Sequence, residues 1–589
     1  MTRDVVPSLL KDRPQQGQVP HLSPSLSKDY LEVDAWLERN RQRFEEMLTQ
    51  AERALHRGAL EEGLNAAQVA AHFAWTNHTA EFYSARLEEI VCAIGRTEVF
   101  PTDGVALGER ALHARRVLHV ATEVAQVGGH ARLLENWVLQ DCNRQHRLLL
   151  TQQNTAYPTA RIRKAMSMGG SLDPIHVLPR QSGLLERARA LREQADRWAD
   201  MVVLHIHPYD LTPLLAFAQT PRYPVILLNH ADHVFWVGAS VSTMRCEIRA
   251  SGRALSQQRR LECPDVLLPI PLSLPSALTP DKRRDTRLEA RRLLGLCPDE
   301  VLLLSVASGY KYTPTHMYDF LSWHLNMVEK TGVRLWVIGP SPQGQWARAA
   351  LETGGKVTAL GVRTDLAPYF AAADIYLDSS PFASLTSLLE AVGTGLPAIS
   401  LDLGVFPSPM RADDPALDPL GLSQGAQSYQ LRLEQLIASA TERDQLGEAM
   451  RVAVEQVHSG TGWQDKLETV YATAWEVQTF SEQAKRVGSA RVEEENKVAA
   501  QKIQRIGPQS TDRELASLQR LTRESTEACE AQHSGTLPLP TRLLRFVKAR
   551  RTLTPLPLKY LLSNDARFLL KRAWDLWRRT QKPIKRGNR

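Results

Sequence analysis

The sequence predicts two doubly wound α/β domains that face each other across a cleft, preceded by a helical module and followed by a basic helical tail. Three observations carry this. Short apolar runs alternate with helical patterns in two separate series, one before and one after a Pro- and charge-rich link at 275–287. The stretch from Asp374 to Leu401 reads as strand, loop, helix and strand, with Gly393, Gly395 and Pro397 as stop signals. Before the first series and after the second, helical spacing replaces strand signals altogether.

The 589 residues, 43% hydrophobic and 23% charged, suffice for two large domains with extensions. The first thirty or so are Pro/Ser/Gln-rich, with no apolar segment of a signal peptide, and no run approaches a membrane span of about 18 apolar residues. Six scattered cysteines without a C-x-x-C pair argue against a zinc site or a disulfide framework and fit a reducing cytosol. The net charge of +7 is concentrated at one end. Residues 541–589 hold fifteen Lys/Arg against two Asp, which leaves the rest of the chain acidic.

In chain order, residues 1–29 are expected to be disordered. From Tyr30 to about Gly95, Leu31, Trp36, Leu37, Phe44 and Leu48, then Leu55, Leu60, Leu64, Val69 and Phe73, recur at helical spacing. Gly58 and Gly63 separate three or four helices, so 30–100 reads as a helical cap or protein-contact module. The first α/β domain, 110–278, has strands at Arg116–Thr122, Arg147–Leu150, Ile175–Leu178, Met201–His205, Val225–Asn229 and Val266–Ile270. Its first strand leads through Gly128, Gly129 and His130 into a helix at Ala131–Gln140. Such a glycine pair either lets backbone approach a ligand or makes a plain tight turn, and G-x-G-x-x-G is absent. The second domain, 279–487, has strands at Val301–Val306, Val333–Ile338, Lys356–Leu360, Asp374–Leu377 and Ala398–Leu401. A helix at Trp463–Val477 is expected to cross back to the first domain, and 488–589 is read as helical linker and tail.

The helix inside Asp374–Leu401 opens with Ser384, Thr386 and Ser387 and has no charged side chain in its first turn. Unpaired N–H groups and a positive dipole end suit a phosphate there, although an ordinary βαβ unit with a hydroxyl cap reads the same way. The run S-x-x-S-L-L-E-A-x-x-x-G-L-P-A-I resembles the donor-binding segment of GT-B glycosyltransferases, enzymes built of two Rossmann-like domains. That resemblance implies that Glu390 contacts the donor's ribose and that the helix N-terminus meets its diphosphate. Families with an E-x7-E pattern carry a second acidic residue where this chain has Phe382. The hydroxyl-rich loop is instead similar to the O-GlcNAc-transferase-like branch. The resemblance also implies that Lys311, after strand Val301–Val306, binds the leaving diphosphate, that Gly339 lies near the base, and that the loop Gly128–Gly129–His130 faces the cleft.

A second cluster, His205, His207, Asn229, His230, Asp232 and His233, lies at the carboxyl ends of two expected parallel strands and should share that cleft. His230 or Asp232 is the expected central catalytic group, with His233 and His205 in support. These histidines could equally serve to orient loops. H-x-H with D-H also resembles metallohydrolase ligands, but no carboxylate-rich surround accompanies it and no metal is expected. In the tail, Leu569, Leu570, Trp574 and Trp577 fall on one helix face and Arg567, Lys571, Arg572, Arg578 and Arg579 on the other. This pattern fits an anionic membrane surface, or docking on the protein's own core, better than nucleic acid.

Taken together, the sequence points to a cytoplasmic glycosyltransferase, peripheral on the membrane's inner face. It would move sugar from a nucleotide-sugar substrate to a glycan, lipid-linked or protein acceptor, with no cofactor. A nucleotide-sugar epimerase and a non-catalytic scaffold are the alternatives.

Overall fold

The computed structural model describes residues 24–101, 115–125, 128–153, 158–171, 173–179, 181–260, 262–315, 318–330, 332–403, 412–486 and, apart from 514 and 518, 512–520. Helices α1 (Pro24–His56), α2 (Leu60–Thr76) and α3 (Ala85–Glu98) come first. Residues 24–29 therefore belong to a helix and not to a disordered leader; proline suits a first turn, where its missing N–H would have no partner. The rest of that leader, and the tail beyond 520 with its amphipathic pattern, lie outside the described residues.

These helices form part of the first lobe. Leu37, Phe44, Leu48 and Ala51 give α1 a buried stripe. The buried Glu88 carboxylate of α3 accepts backbone N–H groups from Gly238 (2.6 Å) and Ser240 (2.8 Å). Asp512 returns to the same region and accepts from Arg259 Nη1 at 3.1 Å, with His78 Nε2 at 3.0 Å.

The first lobe then runs β1 (Arg116–Ala121), α4 (Gly129–Gln140), β2 (Gln145–Leu150), α5 (Ala160–Met168), β3 (Ile175–Val177), α6 (Leu184–Trp198), β4 (Met201–His205), α7 (Thr212–Phe217), β5 (Val225–Asn229), β6 (Met244–Glu247), α8 (Ala250–Arg259) and β7 (Asp265–Leu267). Its parallel sheet has the order β3-β2-β1-β4-β5-β6-β7. The second lobe runs α9 (Pro280–Leu294), β8 (Val301–Val306), α10 (Phe320–Glu329), β9 (Val333–Ile338), α11 (Gln345–Glu352), β10 (Val357–Ala359), α12 (Ala367–Ala372), β11 (Ile375–Leu377), α13 (Leu385–Gly393), β12 (Ala398–Leu401), β13 (Ser423–Gln424), α14 (Ala426–Ala438) and α15 (Ala440–His458). Its order is β10-β9-β8-β11-β12-β13, also parallel. The direction in which successive strands are added reverses between β1 and β4 and between β8 and β11, so ligand-binding crevices open at the carboxyl ends of these sheets.

Helix α16 (Gly460–Arg486) crosses back to the first lobe. Trp463 Nε1 donates to the Pro269 carbonyl at 2.7 Å, Trp137 Nε1 donates to the Tyr471 hydroxyl at 2.9 Å, and Gln478 Nε2 reaches the Pro221 carbonyl at 2.8 Å. Among the described residues no helix is long and apolar enough to cross a membrane.

Candidate active site

On the second lobe, the site is built where β11 gives way to α13. Ser384 stands at the N-cap without a side-chain cap, so the N–H groups of the first turn are left for a ligand. The backbone before it is fixed by Asp378. Its carboxylate accepts the N–H of Ser379 and Ser384, each at 2.9 Å, and the Ser400 hydroxyl at 3.0 Å. Burial pushes this carboxyl up to about 6 in spite of those bonds and of nearby Lys311. Lys311 follows β8, donates to the Ala383 carbonyl at 2.7 Å and lies over the Phe382 ring at 4.9 Å. Burial brings its ammonium down to about 8, and Asp378 opposes the shift. A cation so placed is desolvated, fixed and next to the helix end. Gly339, after β9, has φ +117, and a Cβ there would lie 1.7 Å from the Ala307 carbonyl oxygen, so only glycine lets the two loops meet.

On the first lobe, α4 begins at Gly129, two residues earlier than the sequence pattern suggests, so His130 sits in the helix's first turn. The His130 ring stacks on His230, with centroids 4.1 Å apart and planes at 14°. Burial lowers both imidazoles, His130 to about 3, and their mutual proximity adds to the effect on His230. His205 turns into the lobe and bonds to His119 at 2.9 Å, with no exposure to the cleft mouth. Asp232 is held in a fork by Arg249, at 2.6 and 2.7 Å, which keeps its carboxyl far below the usual range despite full burial. A carboxylate so engaged orients its loop and is unsuited to take a proton. His233 lies beside it, Nδ1 3.6 Å from Asp232 Oδ1.

The lobes meet at these residues. A Cβ on Gly129 would lie 2.7 Å from Thr386 Oγ1, so the glycine loop faces the first turn of α13. The His233 ring packs edge-on against Phe382 with centroids 4.6 Å apart. Arg132 of α4 forms an ion pair with Glu390 of α13. Asp413 accepts the Ser251 N–H (2.8 Å) and hydroxyl (2.6 Å), tying the second lobe to the first turn of α8.

Of the residues expected from sequence, Gly129, His130, His230, His233, Lys311, Ser384, Thr386, Ser387 and Glu390 gather around this cleft. His205 is displaced inward and Asp232 is already paired. Among the described residues no group of three His, Cys, Asp or Glu is placed to hold a metal ion. Sequence reasoning missed Arg132, Arg249 and Asp413, and gave Asp378 no role. The last had a signal, an acidic residue ending an apolar strand.

Residues 303–417 match the family model described as "Glycosyl transferases group 1". No curated protein matches the chain by sequence. Among solved structures, a Thermobaculum terrenum O-GlcNAc transferase mutant is 17% identical at a TM-score of 0.45, over 77% of this chain and 85% of that one. Anabaena HepE, in complex with UDP-glucose, is 13% identical at 0.46, over 61% and 100%. An Escherichia coli protein bound with UDP-2-fluoro glucose is 13% identical at 0.39, over 60% and 98%.

Proposed function

We propose that this chain, a glycosyltransferase of the GT-B fold, moves a sugar from a nucleotide-sugar donor to a glycan, lipid-linked or protein acceptor without a catalytic metal. The observation that carries the reading is the uncapped start of α13 opposite Gly129, with Lys311 alongside.

A departing nucleoside diphosphate gathers negative charge, and fixed dipoles in a dry site meet that charge with little reorganisation. The N–H groups after Ser384 and the Lys311 ammonium supply this stabilisation. Glu390, on the same helix, is the acceptor for ribose hydroxyls once Arg132 yields it. Across the cleft His230 and His233 stand neutral at neutral pH, since burial lowers both, and a neutral imidazole there takes the proton of an incoming hydroxyl first. Asp232 serves through Arg249 and His233 as a positioning residue. The basic segment 541–589 holds the enzyme at an anionic membrane surface, within reach of a lipid-linked or surface acceptor.

The test is calorimetric titration with a panel of nucleotide sugars, followed by measurement of nucleotide release with and without EDTA. One donor is expected to bind and to release its nucleotide slowly and equally in both buffers. Release that disappears with EDTA overturns the metal-free reading, and absence of binding by every nucleotide sugar overturns the donor site.

A further inference from the structure

Behind the cleft, three histidines form a single hydrogen-bonded line through the first sheet, from the carboxyl end of β4 (His205) by the middle of β1 (His119) to the amino end of β2 (His146). His205 Nε2 lies 2.9 Å from His119 Nδ1, and His119 Nε2 lies 3.0 Å from His146 Nδ1. The line ends with His146 Nε2 2.8 Å from the Asp141 carbonyl oxygen. All three rings are fully buried.

Hydrogen-bond logic fixes every proton. A carbonyl only accepts, so His146 Nε2 carries hydrogen and donates. In a neutral ring its Nδ1 then accepts from His119 Nε2, and His119 Nδ1 accepts from His205 Nε2. The lone pair left over is on His205 Nδ1, a buried atom without a hydrogen-bond partner. The His205 ring lies 6.3 Å from that of His130, whose Nε2, like His230 Nδ1, is also buried and unpartnered. A line with a donor satisfied at one end and a vacant acceptor at the other is an arrangement for taking up one proton.

We propose that His205, His119 and His146 form a proton relay that receives the acceptor hydroxyl's proton at the cleft floor and holds it beside Asp141. This rests on the transferase reading above. As the acceptor oxygen bonds to the anomeric carbon, the bond from that carbon to the diphosphate breaks and its electron pair leaves with the phosphate. The hydroxyl proton, taken first by His230, passes on through a water to His205 Nδ1. The Nε2 proton of His205 moves to His119 Nδ1, and that of His119 moves to His146 Nδ1. His146 becomes the imidazolium, with Nε2–H still on the Asp141 carbonyl and the carboxylate oxygen Oδ2 3.6 Å away. When product leaves, the same shifts in reverse return the proton to the cleft.

The surroundings agree with this direction. The His130 and His230 imidazoles face His205, with His207 beside His130 and Glu123 and Asp210 near His207; the Trp137 ring walls off His119 and His205. Asp141 faces His146, in contact with Arg144 at 2.9 Å and the Tyr471 hydroxyl at 2.9 Å. A cation is thus resisted by imidazoles at the cleft end, while at the far end Asp141 favours it against burial and Arg144. Burial keeps the line neutral at neutral pH, ready to accept.

His119→Gln preserves an acceptor and a donor at the middle position but cannot pass a proton. In the full chain it is expected to lower kcat for nucleotide release at least tenfold, leave donor affinity unchanged and remove the acid limb of the pH–rate profile. A kcat within twofold of the native value overturns the relay and leaves the transferase reading standing. If native protein releases nucleotide from no nucleotide sugar, the transferase reading fails instead. Nitrogen-15 spectra of the histidines in native protein then decide the relay. Nε2–H tautomers at all three residues, titrating as one unit, are expected. Nδ1–H at His205, or three independent titrations, overturns it.

Discussion

Gly129→Ala tests the meeting of the lobes directly, because the structure separates its steric effect from every other. Gly129 is not among the positive-φ glycines, so alanine imposes no backbone strain, and as the first residue of α4 it favours the helix slightly over glycine. The new Cβ, however, lies 2.7 Å from Thr386 Oγ1, against 3.4 Å from Thr386 Cβ, which is ordinary contact. Either Thr386 rotates off its rotamer or α13 backs away from the glycine loop. Overpacking of this size costs about 1–3 kcal/mol, equivalent to roughly 5- to 150-fold in an equilibrium constant. Donor affinity is expected to fall within that range while thermal unfolding stays near the native temperature. Thr386→Ala alone deletes the clashing oxygen and is expected to cost at most a few-fold. The double variant should then regain most of the affinity, with a coupling energy of about 1 kcal/mol or more. Titration calorimetry of the four proteins with the tightest-binding nucleotide sugar gives the cycle. If Gly129→Ala binds donor normally, or the two losses simply add, the glycine loop does not oppose α13 in solution and the cleft drawn here is wrong.

Two more expectations concern charge. Lys311 binds diphosphate only when protonated, and burial sets its free-enzyme value at about 8, so donor affinity should fall about tenfold per pH unit above pH 8. Lys311→Met should abolish that dependence and weaken binding throughout; a native profile flat to pH 10 removes the lysine from the site. Deleting residues 541–589 should abolish co-sedimentation with phosphatidylserine vesicles in low salt, with nucleotide release unchanged, and undiminished co-sedimentation removes the tail as the anchor.

Much of the architecture was legible because parallel strands buried on both faces are nearly continuous apolar runs, as in Val301–Val306 and Val333–Ile338, each broken by one polar residue. β6 escaped because it hides Arg245 and Glu247 inside the sheet, where they neutralise each other at 2.6 Å. β13, with two residues, has no pattern to read. The second-lobe half of the site was readable for a different reason. Ser384, Thr386, Ser387 and Glu390 are one contiguous helix start, so local sequence places them. Arg132 meets Glu390 across 258 residues of chain, and Asp413 meets Ser251 across 162, pairings that no local pattern encodes. His119 passed unremarked inside the Arg116–Thr122 run, and His146 lay just before the expected strand at Arg147–Leu150, though β2 in fact starts at Gln145. Only the register of β1 with β2 and β4, which pairs Val117 with His146 and Ala121 with His205, shows that they belong to one line.

The pattern of satisfied and unsatisfied groups narrows what the cleft accepts. Most of its charged side chains already have partners: Asp232 with Arg249, Asp413 with the first turn of α8, Arg132 with Glu390. What remains open falls into two sets. On the second lobe they are donors, the first-turn N–H groups of α13 and the Lys311 ammonium; on the first lobe they are the buried nitrogens of His130 and His230. A ligand completing both sets must present anionic oxygen to one wall and hydroxyl hydrogen to the other. A free phosphate offers only the first, and a neutral sugar chiefly the second. A diphosphate carrying a hydroxyl-rich sugar offers both in one molecule, which is why the arrangement favours an activated sugar over either fragment.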